Sequence, residues 1–236
     1  MLLAQVATAM GVEALLGTAE SFDAFFAAVR SHNGQKEVAE NITAFLKGSQ
    51  LVRNPDNSQE SGTTSGNGKL RQDRYALRTA SQWLGPYVED LSLARQQLET
   101  ELNATTDNPI FDVAERKVLH GGNFQAVAVT SSTEKTRLAV QMIGKMIFAQ
   151  SSELLDNHKN NGLPPNLAVD EPSLSFTMKG VDINMAAYMS ELAHLANPVS
   201  SHVQSAEMHN QAINSLALVS TRYTHMVSKM WTILST

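Results

Sequence analysis

The chain has 236 residues, 42% of them hydrophobic and 17% charged, with a formal net charge of −5 and no cysteine. That composition excludes a disordered chain, and an acidic balance without a clustered basic face excludes a nucleic-acid footprint. Lack of cysteine rules out disulfides and thiolate metal sites and is compatible with a reducing cytosol, so a cytoplasmic location is expected. Residues 1–19 are apolar, but they lack a basic leading segment and carry Glu13, so they do not read as a secretion signal. No run reaches the roughly 18 apolar residues that span a bilayer, and no membrane partner is expected.

Apolar periodicity predicts a chain that is helical almost throughout. In a helix over 1–16, Leu3, Val6, Met10 and Leu15 fall near one stripe. Ser21 stands where it can cap a helix with apolar positions Phe22, Phe25, Phe26 and Val29. A further helix covers Lys36 to Leu46, with Gly48 as its stop. Residues 49–70 are dominated by Ser, Asn, Gly and Gln and read as a mobile loop. Gly66, Gly68 and Lys69 within it do not make a phosphate loop, because Leu70 stands where Ser or Thr must ligate magnesium.

Pro86 suits the first turn of a long helix ending near Asn103. Residues 109–119, PIFDVAERKVL, are the one stretch expected to be extended, as a short hairpin. Helical spacing resumes from Phe124 to about Leu155 through Val127, Leu138, Met142, Ile143 and Met146. After a segment rich in Asn and Pro, the last long helix is expected from about Pro198 to Leu234, with Ile213, Leu216, Val219, Tyr223, Val227 and Trp231 on its apolar side. Three helices of roughly 20–35 residues are about 30–50 Å long. Their apolar flanks exceed what one chain of this size covers, so assembly with copies of itself through a helical bundle is expected. The reading is an all-α chain, one helical core domain over 1–236 with a short extended segment near 109–120.

Several polar residues have spacings that suit a site. Arg78 carries a planar guanidinium that matches a carboxylate, although an isolated arginine also serves in surface salt bridges. Gln72 and Tyr75 precede it at intervals of three, which on a helix gathers them on one side. Asn108 stands between Asp107 and Pro109, a turn-forming context. Phe124 opens a helix behind Gly121-Gly122, where a place in the core is the commoner fate of a phenylalanine. Glu207 and Gln211 are four apart, as are Lys179 and Ile183, so each pair shares a helix face. His194, His202 and His209 have no ligand spacing, and no metal is expected.

Four segments, QDRYALR (72–78), DNP (107–109), HGGNFQ (120–125) and EMHNQ (207–211), together resemble the aromatic amino acid ammonia-lyases, the phenylalanine and tyrosine ammonia-lyases, and most the fungal branch. The resemblance covers nearly the whole chain and implies the long-helix bundle of the ammonia-lyase and fumarase-like type. It implies that Gln72, Tyr75 and Arg78 line a pocket, with Arg78 holding the substrate carboxylate and Asn108 helping to orient both. It sets Phe124 at the pocket wall near the prosthetic group, Glu207 against the substrate amine, Gln211 beneath the prosthetic ring, and Lys179 and Ile183 along the aromatic ring of the substrate. It implies that Tyr75, Arg78 and Glu207 are the catalytic set. The family's electrophile is 4-methylideneimidazol-5-one (MIO), formed from an internal Ala-Ser-Gly, and no Ala-Ser-Gly occurs in these residues. The family's lid tyrosine, its upstream cofactor-contacting asparagine and its C-terminal shielding segment are also missing.

What the resemblance implies is therefore a central-to-C-terminal fragment, inactive alone, of an enzyme that deaminates L-phenylalanine to trans-cinnamate and works as a homotetramer on a small aromatic amino acid. A tyrosine ammonia-lyase, an aminomutase of the same family, and a non-catalytic helical scaffold are the alternatives.

Overall fold

The computed structural model describes residues 1–53, 72–171, 173–202, 205 and 207–234. The expected loop at 49–70 therefore lies outside the described residues from position 54 on. Eight α-helices carry the described chain: α1 (Leu2–Ala14), α2 (Ala24–Val29), α3 (Asn33–Leu46), α4 (Tyr75–Arg78), α5 (Ala80–Leu102), α6 (Val127–Leu155), α7 (Val181–Leu195) and α8 (Ala217–Leu234). Between α5 and α6, β1 (Ile110–Asp112) and β2 (Lys117–Leu119) form an antiparallel hairpin, with Phe111 opposite Val118. The all-α reading with one extended segment is thus the observed fold. The chain divides into two compact units, Met1–Glu89 with Met142–Ser190, and Asp90–Gln141 with Glu191–Thr236.

In the first unit α1 packs on α3. The stripe read from α1 is corrected. Leu3 and Met10 are exposed, and the buried face is Ala4, Gln5, Thr8, Ala9 and Val12. Small residues let the helices approach closely, and the buried polar groups are satisfied. Thr8 Oγ1 donates to Ala4 O at 2.8 Å, Gln150 Nε2 donates to Thr8 Oγ1 at 3.0 Å, and Asn41 Nδ2 donates to Gln5 Oε1 at 2.8 Å.

Ser21 is likewise not a helix cap. It is buried inside a 3₁₀ turn, Ala19–Phe22, and α2 is capped by Asp23, which accepts from Phe25 N at 2.7 Å. The helix expected over Lys36 to Leu46 is α3, which begins three residues earlier at Asn33. Val38, Ile42 and Leu46 recur every fourth residue and are buried, each contributing about 1.5–3 kcal/mol through burial. Gly48 at φ +84° follows its end, a left-handed position that glycine takes without steric cost.

Two glycines fix the crossing of α3 and α5. A Cβ on Gly34 would lie 2.1 Å from Gly85 O, and one on Gly85 would lie 2.5 Å from Gln35 N. Glu89 Oε1 accepts from Gly34 N at 2.8 Å, so α5 supplies the N-terminal acceptor that α3 lacks in its own residues. Pro86 follows Gly85 inside α5 and does not open it, because α5 begins six residues earlier at Ala80.

In the second unit the centre is polar. Arg137 on α6 is fully buried. It donates through Nε to Leu195 O at 2.8 Å, and through Nη1 to Ser220 O at 2.9 Å and Ser220 Oγ at 2.6 Å. Burial lowers its pKa and the nearby Glu134 partly offsets this. Glu134 Oε1 in turn accepts from Val199 N at 2.7 Å and Ser200 N at 3.1 Å. The expected final helix from Pro198 is corrected, since α8 begins only at Ala217. Before it, the chain turns through Glu207, Met208 and Leu216 at φ of +47°, +52° and +53°, which no right-handed helix contains.

Candidate functional site

In the first unit the QDRYALR segment makes a single helical turn, α4, entered from an irregular stretch. Gln72 precedes that turn, so it does not share a helix face with Tyr75 and Arg78. Tyr75 and Arg78 do meet: the Arg78 guanidinium carbon lies 4.9 Å from the Tyr75 ring centroid. Apolar Ala76 and Leu77 are buried on the inner side of the turn, leaving Tyr75 72% exposed. Arg78 Nε donates to Asp73 O at 3.1 Å. Among the described residues, neither terminal amine of Arg78 has a hydrogen-bond partner.

Asp73 is the residue of this segment that sequence reasoning passed over. Its carboxylate accepts from Thr18 N at 2.7 Å and from Arg53 Nη2 at 2.8 Å. Nearby, Glu153 on α6 is half-buried, and its pKa is raised by that burial, with Arg74 and Lys159 acting against the rise and Asp73 adding to it.

Also in this unit, Lys179 and Ile183 do not share a helix. Lys179 lies in the turn before α7, its Nζ 4.2 Å from the Phe176 ring centroid, whereas Ile183 is exposed in the first turn of α7.

The second unit holds the other site residues. Asn108 is exposed ahead of the hairpin, its N–H donating to Asp107 Oδ1 at 2.7 Å. Phe124 does not open a helix. It lies three residues before α6, exposed, with its ring folded against Gly122, where an added Cβ would sit 2.5 Å from Phe124 Cε2. Ser215 hydrogen-bonds Gln125 O and Thr130 Oγ1, which ties the Phe124 turn to the approach to α8.

Glu207 and Gln211 are not one helical face. Glu207 sits in a 3₁₀ turn, Glu207–His209, and its carboxylate accepts from Asn210 Nδ2 at 3.4 Å. Gln211 Oε1 accepts from Asn214 Nδ2 at 3.0 Å, which orients the amide so that its NH₂ end is the one left to donate. A cavity of about 660 Å³ in this unit is lined by Thr130, Glu134 and Asn197 among others, and one of about 990 Å³ in the first unit by Phe22, Lys36 and Glu40 among others. Neither is lined by the site residues.

Against known proteins, the family model described as aromatic amino acid lyase matches residues 1–236. The chain belongs to the aromatic amino acid lyase family. It is 62% identical over 223 residues to the phenylalanine ammonia-lyase hkm12 of Aspergillus hancockii, covering 94% of this chain and 31% of that lyase. It is 56% identical over 227 residues to a phenylalanine aminomutase (L-beta-phenylalanine forming) of Talaromyces islandicus, with the same coverages of 94% and 31%. The crystal structure of phenylalanine ammonia-lyase from the yeast Rhodosporidium toruloides superposes with a TM-score of 0.92 at 50% identity, over 99% of this chain and 35% of that one. The chain thus has the fold of the aromatic lyases and spans about a third of the length of the curated relatives it matches.

Proposed function

We infer that the chain supplies the carboxylate-binding and amine-facing part of a phenylalanine ammonia-lyase, which eliminates ammonia from L-phenylalanine to give trans-cinnamate. The observation that carries this reading is Arg78, whose Nε is tied to Asp73 O while its terminal amines have no partner among the described residues. A guanidinium held in that way meets a carboxylate with two parallel hydrogen bonds. The Tyr75 ring beside it limits the directions the guanidinium can take. Asn108 orients the polar end of the substrate, the Glu207 carboxylate faces its amine, and Lys179 and Ile183 flank its aromatic ring. Holding the reacting groups in register is what these residues contribute in this reading.

Gln72, Phe124 and Gln211 would hold 4-methylideneimidazol-5-one. Their chemistry fits that neutral, carbonyl-bearing ring, because Gln211 has its amide NH₂ turned to donate and Phe124 presents an exposed aromatic surface. When bound, the group supplies an electrophile that eases departure of a poor leaving group. In this reading further copies of the chain, in a homotetramer, complete the pocket in the cytoplasm. The exposed apolar side chains of Leu93, Leu102, Phe111 and Leu218 support such assembly.

The test follows cinnamate by its ultraviolet absorbance with L-phenylalanine given to the complete enzyme that contains these residues. Arg78→Ala is expected to lower kcat/KM by on the order of 100-fold or more at unchanged melting temperature. Normal turnover in that variant overturns the assignment. The 56% identity to an aminomutase favours a second reading, return of the amine to the β-carbon. Chiral chromatography decides it, since β-phenylalanine appears among the products of an aminomutase and not of a lyase.

A further inference from the structure

We propose that Asp73 is a positioning residue for substrate binding, acting through Arg78 by fixing the turn that carries it. The proposal rests on the assignment of Arg78 to the substrate carboxylate. Asp73 is held at both ends. Its side chain is 9% exposed, and each carboxylate oxygen has a donor: Oδ2 takes Thr18 N–H at 2.7 Å and Oδ1 takes Arg53 Nη2 at 2.8 Å.

Arg53 is itself fixed, because its Nε donates to Leu16 O at 2.8 Å and its backbone N to Gly17 O at 2.8 Å. The anchor is therefore a backbone bridge between Thr18 and Arg53, not a loose surface ion pair. At its other end the Asp73 carbonyl accepts Arg78 Nε at 3.1 Å. One residue thus joins the bridge at 17–19 and 53 to the orientation of the guanidinium.

The far side of the turn is pinned as well, where Gln150 Nε2 donates to Ala76 O at 2.9 Å. The Asp73 pocket has no slack: a Cβ on Gly17 would stand 2.9 Å from Asp73 Oδ2 and 3.0 Å from Val12 Cγ1. With the carboxylate released, residues 72–74 lose their fixed direction and the Arg78 Nε loses its acceptor geometry. The two terminal amines then no longer present one plane to the substrate.

The experiment compares two competitive inhibitors of the complete enzyme, trans-cinnamate, which has a carboxylate, and 2-phenylethylamine, which has none. It uses Asp73→Ala, Arg78→Ala and the double variant. For Asp73→Ala, the inhibition constant of cinnamate is expected to rise about tenfold while that of 2-phenylethylamine holds, and the double variant should match Arg78→Ala alone. Equal weakening of both inhibitors, or additive losses in the double variant, overturns the proposal and leaves Asp73 as a structural residue only. If Arg78→Ala itself leaves cinnamate binding unchanged, the carboxylate reading of Arg78 fails, and this proposal with it. Should Asp73→Ala not fold, Arg53→Ala removes one anchor and keeps the other. Its expected signature is a smaller, about threefold, loss confined to cinnamate, and a loss shared by both inhibitors overturns the proposal.

Discussion

At the scale of single residues, charge placed in the interior does two different jobs. Arg137 is stabilised by the carbonyls at the end of α7 and within α8, so a cation with zero exposure is accommodated by hydrogen bonds. Nothing in the run TSSTEKTR distinguishes Arg137 from a solvated arginine, since its partners come from residues about 60 and 80 positions away. Glu153 is the opposite case. Burial raises its pKa, so the folded chain holds its proton over a pH window in which the unfolded chain has already released it. The folded state binds more protons there, and stability falls as pH rises from the ordinary carboxyl range through the raised value. Glu153→Gln removes that slope. The variant is expected to melt higher than the parent above the window, and the advantage should vanish at acid pH where both are neutral. Thermal melts across pH check it, and a parallel pH dependence in the two proteins contradicts it.

Elements were legible where local chemistry decides them. The helix at α3, its glycine stop and the hairpin at 110–119 follow from spacing, a residue with no Cβ, and strand-favouring Ile, Phe and Val on either side of a polar turn. Elsewhere tertiary contacts decide, and the sequence is silent. Residues 199–216 contain neither Gly nor Pro, so periodicity runs a helix through them. The chain instead takes left-handed positions at Glu207, Met208 and Leu216, none of which favours them intrinsically. Site residues were recognisable as types for the same reason that their geometry was not: Glu207 and Gln211, read as one face, lie on a turn and beyond it.

The Gly34–Gly85 crossing shows the same dependence on distant contacts. Each glycine looks like a tolerated interruption of a helix, yet a methyl on Gly34 meets backbone that cannot rotate away. Gly34→Ala is expected to destabilise by about 1–3 kcal/mol or more, by overpacking that outweighs its gain in helix propensity. Denaturant unfolding measures this, and a neutral or stabilising result would mean that α3 and α5 separate easily.

For the whole molecule, the exposure of the site residues is the decisive quantity. Tyr75, Phe124, Lys179 and Ile183 are all exposed in this chain, and Met208 beside Glu207 is 98% exposed. A guanidinium or carboxylate in water gains little from one more hydrogen bond, because solvent competes for it and screens its charge. The same groups gain strength only when surrounding protein excludes water. The chain is also only about a third as long as the curated lyases it resembles, and it contains no Ala-Ser-Gly. Its side chains therefore suit a pocket that other protein must close. On the proposed reading, the isolated 236-residue chain given L-phenylalanine is expected to form no cinnamate, and a longer lyase that contains it is expected to form it steadily. Measurable turnover by the isolated chain, with mass spectrometry showing no companion polypeptide, would refute this view. It would mean that exposed Arg78 and Glu207 suffice without enclosure, and that the electrophile has another source.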